Sequence, residues 1–208
     1  MKPWSTTSGR LPSLRWSVAH RPLSGESVSG DHHLVAPFEG GALLAVVDAL
    51  GHGSEAEFAA RLAVATMSTR RESPVEEILK DCHRSLAKTR GIAVAIASID
   101  FRKSRLSWVA IGNVEGLLVP GSKDAKRQAV IQHGGIVGYQ MPKLPPIESV
   151  KLVEGDRLCF ATDGIKSSFM ESITVRQPLE TLAATVLEKF ENVRDDALVL
   201  IAEFGGER

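Results

Sequence analysis

Three acidic residues stand where an apolar run of the sequence meets a turn. Asp48 follows the apolar run 42–47, Asp163 follows the run 156–162, and Asp195 comes shortly before the run 197–204. Strand ends are rigid, so their side chains can be aimed at one point if the strands are neighbours in space. Carboxylates gathered in a partly dry cleft repel one another and become protonated unless cations lie between them. The pattern therefore predicts a site for divalent cations.

The chemistry that such a site supports is the hydrolysis of a phosphate ester. An all-oxygen ligand set favours Mg²⁺ or Mn²⁺ over zinc. Two such ions close together orient a phosphoryl group and lower the pKa of a shared water, so that hydroxide attacks near neutral pH. A single aspartate after a strand is more often a turn residue or a helix cap. The hypothesis therefore depends on the three aspartates occurring together.

The elements predicted around Asp48 are a hairpin and two helices. Apolar runs on either side of Glu39-Gly40-Gly41 predict a hairpin over 34–47. A capping box, Ser54-x-x-Glu57, predicts a helix to about Thr69. A second capping signal, Ser73-Pro74-x-Glu76, opens an amphipathic helix that ends before Gly91. The predicted apolar positions are Phe58, Leu62, Ala65 and Met67 in the first helix and Val75, Ile78, Leu79, Cys82 and Leu86 in the second.

The second half of the chain alternates between strand and helix patterns. Apolar runs over 92–99 and 106–111 predict a hairpin, and 116–120 continues it as the third strand of a meander. A weaker strand over 128–132 precedes an irregular, turn-rich loop over 133–146. A strand over 156–162, a helix through 179–190 and a strand over 197–204 follow. This order predicts an α+β class in which helices cover sheets.

Size, charge and cysteine content limit the kinds of protein that fit. The length of 208 residues predicts one domain over 1–208, with residues 1–16 a loosely ordered arm or an edge segment. Lysine plus arginine and aspartate plus glutamate both number 25. The net charge is therefore zero and gives no overall electrostatic attraction to nucleic acid or to an anionic membrane. Cys82 and Cys159 lie in apolar segments, which favours reduced thiols and the cytoplasm. A monomer is the default expectation for a neutral chain of this size.

Four motifs follow one another along the chain: Ser29-Gly30-Asp31, Val47-Asp48-Ala49-Leu50-Gly51-His52-Gly53, Ala161-Thr162-Asp163-Gly164-Ile165 and Arg194-Asp195-Asp196-Ala197. In this order they resemble the SpoIIE-type branch of the metal-dependent PPM, or protein phosphatase 2C-like, phosphatases. Three shorter stretches, 88–91, 111–114 and 135–138, resemble its short stand-alone feedback phosphatases of stressosome signalling. The resemblance implies a four-layer α-β-β-α sandwich of two antiparallel sheets flanked by helix pairs. It also implies a cytoplasmic serine/threonine phosphoprotein phosphatase that acts on a phosphorylated regulatory protein, such as a STAS-domain stressosome component or an anti-sigma antagonist.

The resemblance also implies a role for each site residue. Asp48 would bridge two Mn²⁺ or Mg²⁺ ions, and the main-chain carbonyl of Ala49 would bind one of them. Asp163 and Asp195 would complete the site of the other ion, and Asp31 would hold a metal-bound water. Further positions near the site are Gly51, His52, Asn113 and Asp196.

Three departures from the family pattern leave an alternative open. Ala49 replaces the usual glycine, which would be costly if the backbone there had a positive φ. Leu50 replaces a candidate general-acid histidine, and no arginine lies within 26–31 to hold phosphate. The alternative is a catalytically weak or silent scaffold that binds a signalling phosphoprotein. His52 fits either contact with substrate or a helix cap, and Asn113 fits either a bond to metal-bound water or a role in a turn.

Overall fold

The strands and helices of the protein were located in a computed structural model that describes residues 4–122, 125–141, 143 and 146–205. The strands are β1 (Ser5–Leu11), β2 (Leu14–Arg21), β3 (Asp31–Phe38), β4 (Gly41–Ala49), β5 (Ile92–Asp100), β6 (Arg105–Ile111), β7 (Glu115–Val119), β8 (Gln128–Ala129), β9 (Gln132–His133), β10 (Glu148–Lys151), β11 (Arg157–Ala161) and β12 (Ala197–Phe204). The helices are α1 (Ser54–Thr69), α2 (Val75–Ser85), α3 (Phe169–Ser172) and α4 (Leu179–Phe190).

The strands form two sheets. The terminal sheet, which contains the strands nearest both chain ends, has the order β1-β2-β12-β11-β7-β8. The central sheet has the order β10-β6-β5-β4-β3, with β9 added alongside β6. Neighbouring strands pair antiparallel in both sheets, whereas β9 is parallel to β6. The inner strands β4 and β12 are buried along almost their whole length, because both faces of each sheet are covered.

Three apolar layers hold the sheets and helices together. The two sheets face each other across a core that includes Trp108, Phe160 and Leu44, all fully buried. A second core lies between the central sheet and the helix pair α1–α2, and a third lies between the terminal sheet and α3–α4. The predicted four-layer α-β-β-α sandwich is therefore confirmed, as is the prediction that Trp108 belongs to the core.

Helix α1 has the predicted bounds but not the predicted cap, and its predicted apolar face is only partly right: Met67 is buried and Leu62 packs against the core, whereas Phe58 and Ala65 are exposed. Its N-cap is Gly53, with φ 78° and no side-chain cap hydrogen bond, so the capping box at Ser54 is wrong. Phe58 is 62% exposed. The buried side is made mainly of small residues: Ala56, Ala59, Ala60, Ala63 and Met67. Alanines let the helix lie close to the sheet, so this face is chosen by tertiary packing and not by the largest apolar side chains.

Helix α2 has the predicted apolar face. Its apolar positions Val75, Ile78, Leu79, Cys82 and Leu86 are all buried. The cap residue is Pro74, however, with no side-chain cap hydrogen bond, so Ser73 is not the predicted cap. The fixed φ of proline suits the helix start without help from a side chain.

Strand β7 exists as predicted, but the meander does not. It leaves the central sheet and pairs with β11 and β8 in the terminal sheet. The chain turns away after β6 at Gly112, whose φ is 90°. The weaker strand predicted over 128–132 is likewise divided into β8 and β9, which belong to different sheets. Periodicity identifies a strand but does not choose its partner.

The first residues form a hairpin at the edge of the terminal sheet. Of the two possibilities predicted for residues 1–16, a loose arm and an edge segment, the described residues adopt the second. Strand β1 is the edge strand, β2 pairs with β12, and Leu14 is 1% exposed. In the predicted loop 133–146, Pro142, Leu144 and Pro145 lie outside the described residues. No helix within the described part of the chain is long and apolar enough to cross a membrane.

Candidate metal centre

The four aspartates predicted to form the site come from two pairs of adjacent strands. Asp31 and Asp48 are direct cross-strand partners on β3 and β4. Asp163 follows β11 and Asp195 precedes β12, and these two strands pair antiparallel. The sheets pack face to face, and the charges of Asp163 and Asp195 both act on the pKa of Asp48. The structure thus brings together carboxylates that are far apart in the sequence.

The carboxylates of this cluster oppose one another's ionisation. Burial, followed by the charges of Asp163 and Asp195, raises the pKa of Asp48 to about 7. Burial and the charge of Asp48 raise the pKa of Asp31 well above its usual value. Burial and the charge of Asp163 also raise the pKa of Asp195. A cation among these groups would relieve the repulsion and favour their charged forms.

The donor set fits Mg²⁺ or Mn²⁺. Within the described residues, no group of three or more His, Cys, Asp or Glu side chains is by itself arranged to hold a metal ion. The carboxylates of Asp48, Asp163 and Asp195 are oxygen donors, and a site built from them would add main-chain oxygen and water. Mg²⁺ binds in this way, since it dehydrates reluctantly and keeps several waters. The oxygen-only donors and the mutual repulsion of the carboxylates agree with such an ion.

Ala49 has no backbone strain. It is the last residue of β4, pairs with Ile92 of β5, and does not have a positive φ. Its N–H donates to the Gly30 carbonyl at 3.1 Å. The condition under which alanine would be costly here, a positive φ, is not met, because the left-handed conformations occur later in the turn, at Gly51 (φ 86°) and Gly53 (φ 78°).

Thr162 supports Asp31 in a way that sequence reasoning missed. Its hydroxyl donates to the Oδ2 atom of Asp31 at 2.6 Å and accepts the N–H of Leu198 at 3.0 Å. This joins β3 of the central sheet to β11 and β12 of the terminal sheet. Asp31 and Thr162 are 3% and 1% exposed, so the bond lies in a dry environment and is correspondingly strong. A threonine directly before a strand-end aspartate is the signal that could have indicated it.

Asp196 holds the backbone segment that leads into β3. Its two carboxylate oxygens accept the main-chain N–H groups of Leu23 and Gly30, at 2.7 and 2.8 Å. Arg21 reinforces the same region by donating to the main-chain carbonyl of Asp195 at 3.0 Å. The side chain of Asp196 is thus occupied in holding backbone, which leaves Asp195 as the more available ligand of this adjacent pair.

Asn113 and Gly164 shape the surroundings of Asp163. The amide of Asn113 donates to the Oδ2 atom of Asp163 at 2.7 Å, so its side chain does more than shape a turn. A Cβ atom on Gly164 would lie 1.8 Å from the main-chain oxygen of Asp196. This position requires glycine, because the chains after β11 and before β12 approach each other there.

His52 lies at the rim of the cluster. Its Nδ1 atom lies 2.9 Å from Glu26 Oε1, and its side chain is 60% exposed. Since Gly53 is the N-cap of α1 without a side-chain cap bond, the interpretation of His52 as a helix cap is wrong. His52 also lies close enough to the cluster to interact with it electrostatically, because a positive charge on His52 lowers the pKa of Asp195.

The architecture and the strand-end carboxylates together define the fold of the metal-dependent PPM phosphatases. Residues 39–205 match the model of the family described as stage II sporulation protein E, SpoIIE. The chain therefore belongs to the SpoIIE family of these serine/threonine phosphatases, and the predicted resemblance is confirmed.

Three relatives place the chain more closely within this fold. It is 24% identical to phosphoserine phosphatase RsbX of Bacillus subtilis (strain 168) over 178 residues, which are 85% of this chain and 87% of that protein. A crystal structure of RsbX in complex with magnesium has a TM-score of 0.85 and 18% identity, and the match covers 97% of this chain and 100% of the other. A chain solved in work on the bacterial stressosome, a modular system adapted to control secondary messenger signalling, has a TM-score of 0.84 and 30% identity, with 91% and 99% covered. The predicted similarity to the RsbX subgroup is thus confirmed.

Proposed function

We propose that this protein is a Mn²⁺- or Mg²⁺-dependent phosphoserine/phosphothreonine phosphatase that acts on a phosphorylated regulatory protein in the cytoplasm. The observation that carries the proposal is the position of Asp48, buried beside Asp31 and repelled by Asp163 and Asp195. Such a cluster is costly for the metal-free protein and becomes favourable when cations bind.

The proposed ligands are those implied by the family resemblance. Asp48 and the main-chain carbonyl of Ala49 would hold one ion, and Asp48, Asp163 and Asp195 the other. When bound, two such ions polarise the phosphoryl oxygens and make water nucleophilic near neutral pH. Asp31, whose carboxylate accepts a hydrogen bond from Thr162, would also accept one from a metal-bound water, and Asn113 would orient the carboxylate of Asp163 to which it donates.

The reaction proposed is direct hydrolysis. The oxygen of water forms a bond to phosphorus, and the bond from phosphorus to the seryl or threonyl oxygen breaks. A covalent enzyme intermediate is not part of the proposal. Both cysteines are free and buried, and burial raises the pKa of the Cys82 and Cys159 thiols, so neither is available as a nucleophile.

The substrate class is proposed from the relatives. Similarity to RsbX and to the chain from the stressosome work supports a phosphorylated STAS-domain stressosome component or an anti-sigma antagonist as the partner. We propose that the determinants of specificity lie in the loop 133–146 and in the segment 166–177, because connecting segments at the surface commonly carry binding residues. The second of these begins two residues after Gly164, and Ser167 donates to Glu115 there. We expect the enzyme to act as a monomer.

The test is phosphate release from p-nitrophenyl phosphate and from a phosphoserine peptide, measured with MnCl₂ and with EDTA. Asp48→Asn and Asp163→Asn are each expected to lower metal-dependent turnover by about a thousandfold, since each removes charge that the ions and the transition state require. Asp100→Asn is the matched control, because Asp100 also ends a strand but caps an exposed turn.

Two results would contradict the proposal. Activity that survives EDTA and both substitutions would exclude the metal mechanism. Binding of a phosphoprotein without turnover, and without a rise in melting temperature on addition of Mn²⁺, would instead support the silent scaffold that Leu50 leaves open.

A further inference from the structure

A phosphate dianion at the cluster needs a counter-charge from the protein, and Arg21 and Arg90 both approach the backbone around the cluster. Arg21 donates through Nε to Glu191, through Nη1 to the Pro22 carbonyl, and through Nη2 to the carbonyls of Asn192 and Asp195. Four of its five N–H donors are thus used, and its side chain is 5% exposed. Arg21 therefore holds backbone in place and is poorly accessible to a ligand.

Arg90 is differently placed. Its Nη1 atom lies 2.6 Å from the point where a Cβ atom on Gly51 would stand, so the guanidinium lies directly against the turn that follows Asp48. The carbonyl of the next residue, Gly91, accepts the N–H of Leu50 at 3.2 Å. The backbone on both sides of this contact is thus tied to the candidate metal centre. Glycine at position 51 makes this approach of Arg90 possible.

The partner of Arg90 is easily replaced. Its Nε and Nη2 atoms donate to Glu55 Oε2 at 2.8 and 2.5 Å, and the two side chains are 51% and 71% exposed. Exposed ion pairs contribute little to stability, because water solvates the separated partners nearly as well. A guanidinium binds phosphate through two parallel hydrogen bonds. A phosphate dianion also carries more negative charge than the single carboxylate of Glu55. A phosphate dianion can therefore take the place of Glu55.

Arg90 also lines a surface groove. Its volume is about 420 Å³, and Lys88, Thr89 and Phe58 line it together with Arg90. Phe58 is the large apolar residue of α1 that faces outward, at 62% exposure. An exposed aromatic ring next to two cationic side chains suits the residues that flank a phosphorylated serine or threonine. This groove gives a reason for Phe58 to lie outside the core.

We propose that Arg90 binds the phosphate of the substrate and that Glu55 holds its guanidinium against Gly51 until phosphate replaces the carboxylate. Arg90 then supplies the phosphate-binding arginine that segment 26–31 lacks. The inference rests on the proposed function, since it names the residue that recognises the substrate's phosphate at the same site.

The experiment compares four variants in two assays. The first assay gives KM and kcat for a phosphoserine peptide with Mg²⁺, and the second is calorimetric titration with inorganic phosphate, with Mg²⁺ and after EDTA. Arg90→Ala is expected to raise KM and the phosphate Kd about tenfold with kcat changed less than about threefold, because a charged hydrogen-bond pair to phosphate is lost. Arg90→Lys should give KM and phosphate Kd values between those of wild type and Arg90→Ala, since lysine keeps the positive charge but cannot form two parallel hydrogen bonds.

Glu55→Gln should act in the opposite direction. Removal of the competing carboxylate is expected to lower the phosphate Kd about threefold. Arg102→Ala is the matched control, because Arg102, on the β5–β6 turn, forms another exposed arginine–glutamate pair, with Glu39 at 2.7 Å. It should change neither assay. Circular dichroism checks that each variant is folded. If Arg90→Ala does not fold, the phosphate Kd values of Arg90→Lys and Glu55→Gln test the role of Arg90.

The outcomes separate the two proposals. An unchanged phosphate Kd in Arg90→Ala overturns the role of Arg90 while metal-dependent turnover still supports the phosphatase. If the wild type hydrolyses nothing, the proposed function fails, and the phosphate titration still decides whether Arg90 binds phosphate. A raised Kd in Glu55→Gln also contradicts the inference.

Discussion

Strand β12 has a cluster of charged residues at each end, and the two clusters differ in how their charges are balanced. At its far end, Glu203 is held by Arg15 at 2.5 Å and by Arg157 at 2.6 Å. Burial alone would raise the pKa of Glu203, but hydrogen bonds from the two arginines outweigh it, and the pKa lies below its usual value. At the near end, Asp195 faces Asp48 and other carboxylates, and the pKa of Asp48 is raised to about 7.

The difference separates structural charges from functional ones. The acid of the Glu203 cluster has its counter-charge within the chain, so ionisation favours the folded state. The acids of the metal centre lack that compensation, so ionisation opposes the folded state until something positively charged binds. A cluster that lowers the stability of the free protein is therefore a better indication of a binding site than one that is already neutralised.

The largest effect on stability should come from breaking the balanced cluster. Glu203→Gln leaves the guanidinium of Arg157, whose side chain is 4% exposed, without its carboxylate. We expect a loss of about 3 kcal/mol in the free energy of unfolding, and a melting temperature lower by about 6–12 °C. The pKa of Glu203 is depressed, so its contribution exists above the ordinary glutamate pKa and fades as the pH falls below it.

Urea denaturation at pH 7 and pH 3 measures this effect. The difference between wild type and Glu203→Gln should be large at pH 7 and small at pH 3, while metal-dependent turnover at neutral pH stays near that of wild type. Equal stability at pH 7 would show that the arginine pair is not compensating a buried charge.

A change of opposite sign and intermediate size is expected at the metal centre, where removal of a carboxylate should stabilise the metal-free protein. In metal-free protein the folded state retains the proton of Asp48 up to about pH 7, whereas the unfolded chain releases it near pH 3.8. Stability should therefore fall as the pH rises between these values. Asp48→Asn removes this cost and should stabilise the metal-free protein by on the order of 1–2 kcal/mol at pH 8, and hardly at pH 4.

Thermal unfolding with EDTA at the two pH values checks this expectation, and Asp100→Asn serves again as the control. Addition of Mn²⁺ should raise the melting temperature of wild type and not that of Asp48→Asn. A variant that is less stable than wild type at pH 8 without metal would show that Asp48 is not repelled by its neighbours.

The smallest effect is expected from Ala49→Gly, which restores the residue usual in the family. Because Ala49 is unstrained in β4, glycine should cost about 0.5–1 kcal/mol of stability through added freedom of the unfolded chain. The affinity for Mn²⁺, measured by titration calorimetry, should stay within about twofold. A clear gain in affinity would mean that the alanine side chain does restrict the carbonyl ligand.

Much of the candidate site could be predicted because aspartates at strand ends are visible in the sequence. Asp48, Asp163 and Asp195 follow or precede apolar runs, and the structure brings them together from the facing ends of the two sheets. The contributions of Thr162 and Arg90 could not be predicted in this way. Each acts through a partner more than 30 residues away, Asp31 for Thr162 and Glu55 for Arg90, and a single sequence carries no record of such pairs.

The sequence by itself determined the positions of the inner strands, the bounds of α1 and α4 and the buried face of α2, because apolar periodicity and glycine turns act locally. Only the tertiary structure decided that β7 joins the terminal sheet, that α1 buries alanines while Phe58 faces solvent, and that residues 5–21 form a hairpin. Strand partners, helix faces and the environment of a carboxylate depend on which surfaces meet. That choice follows from the packing of the whole chain, which no local pattern contains.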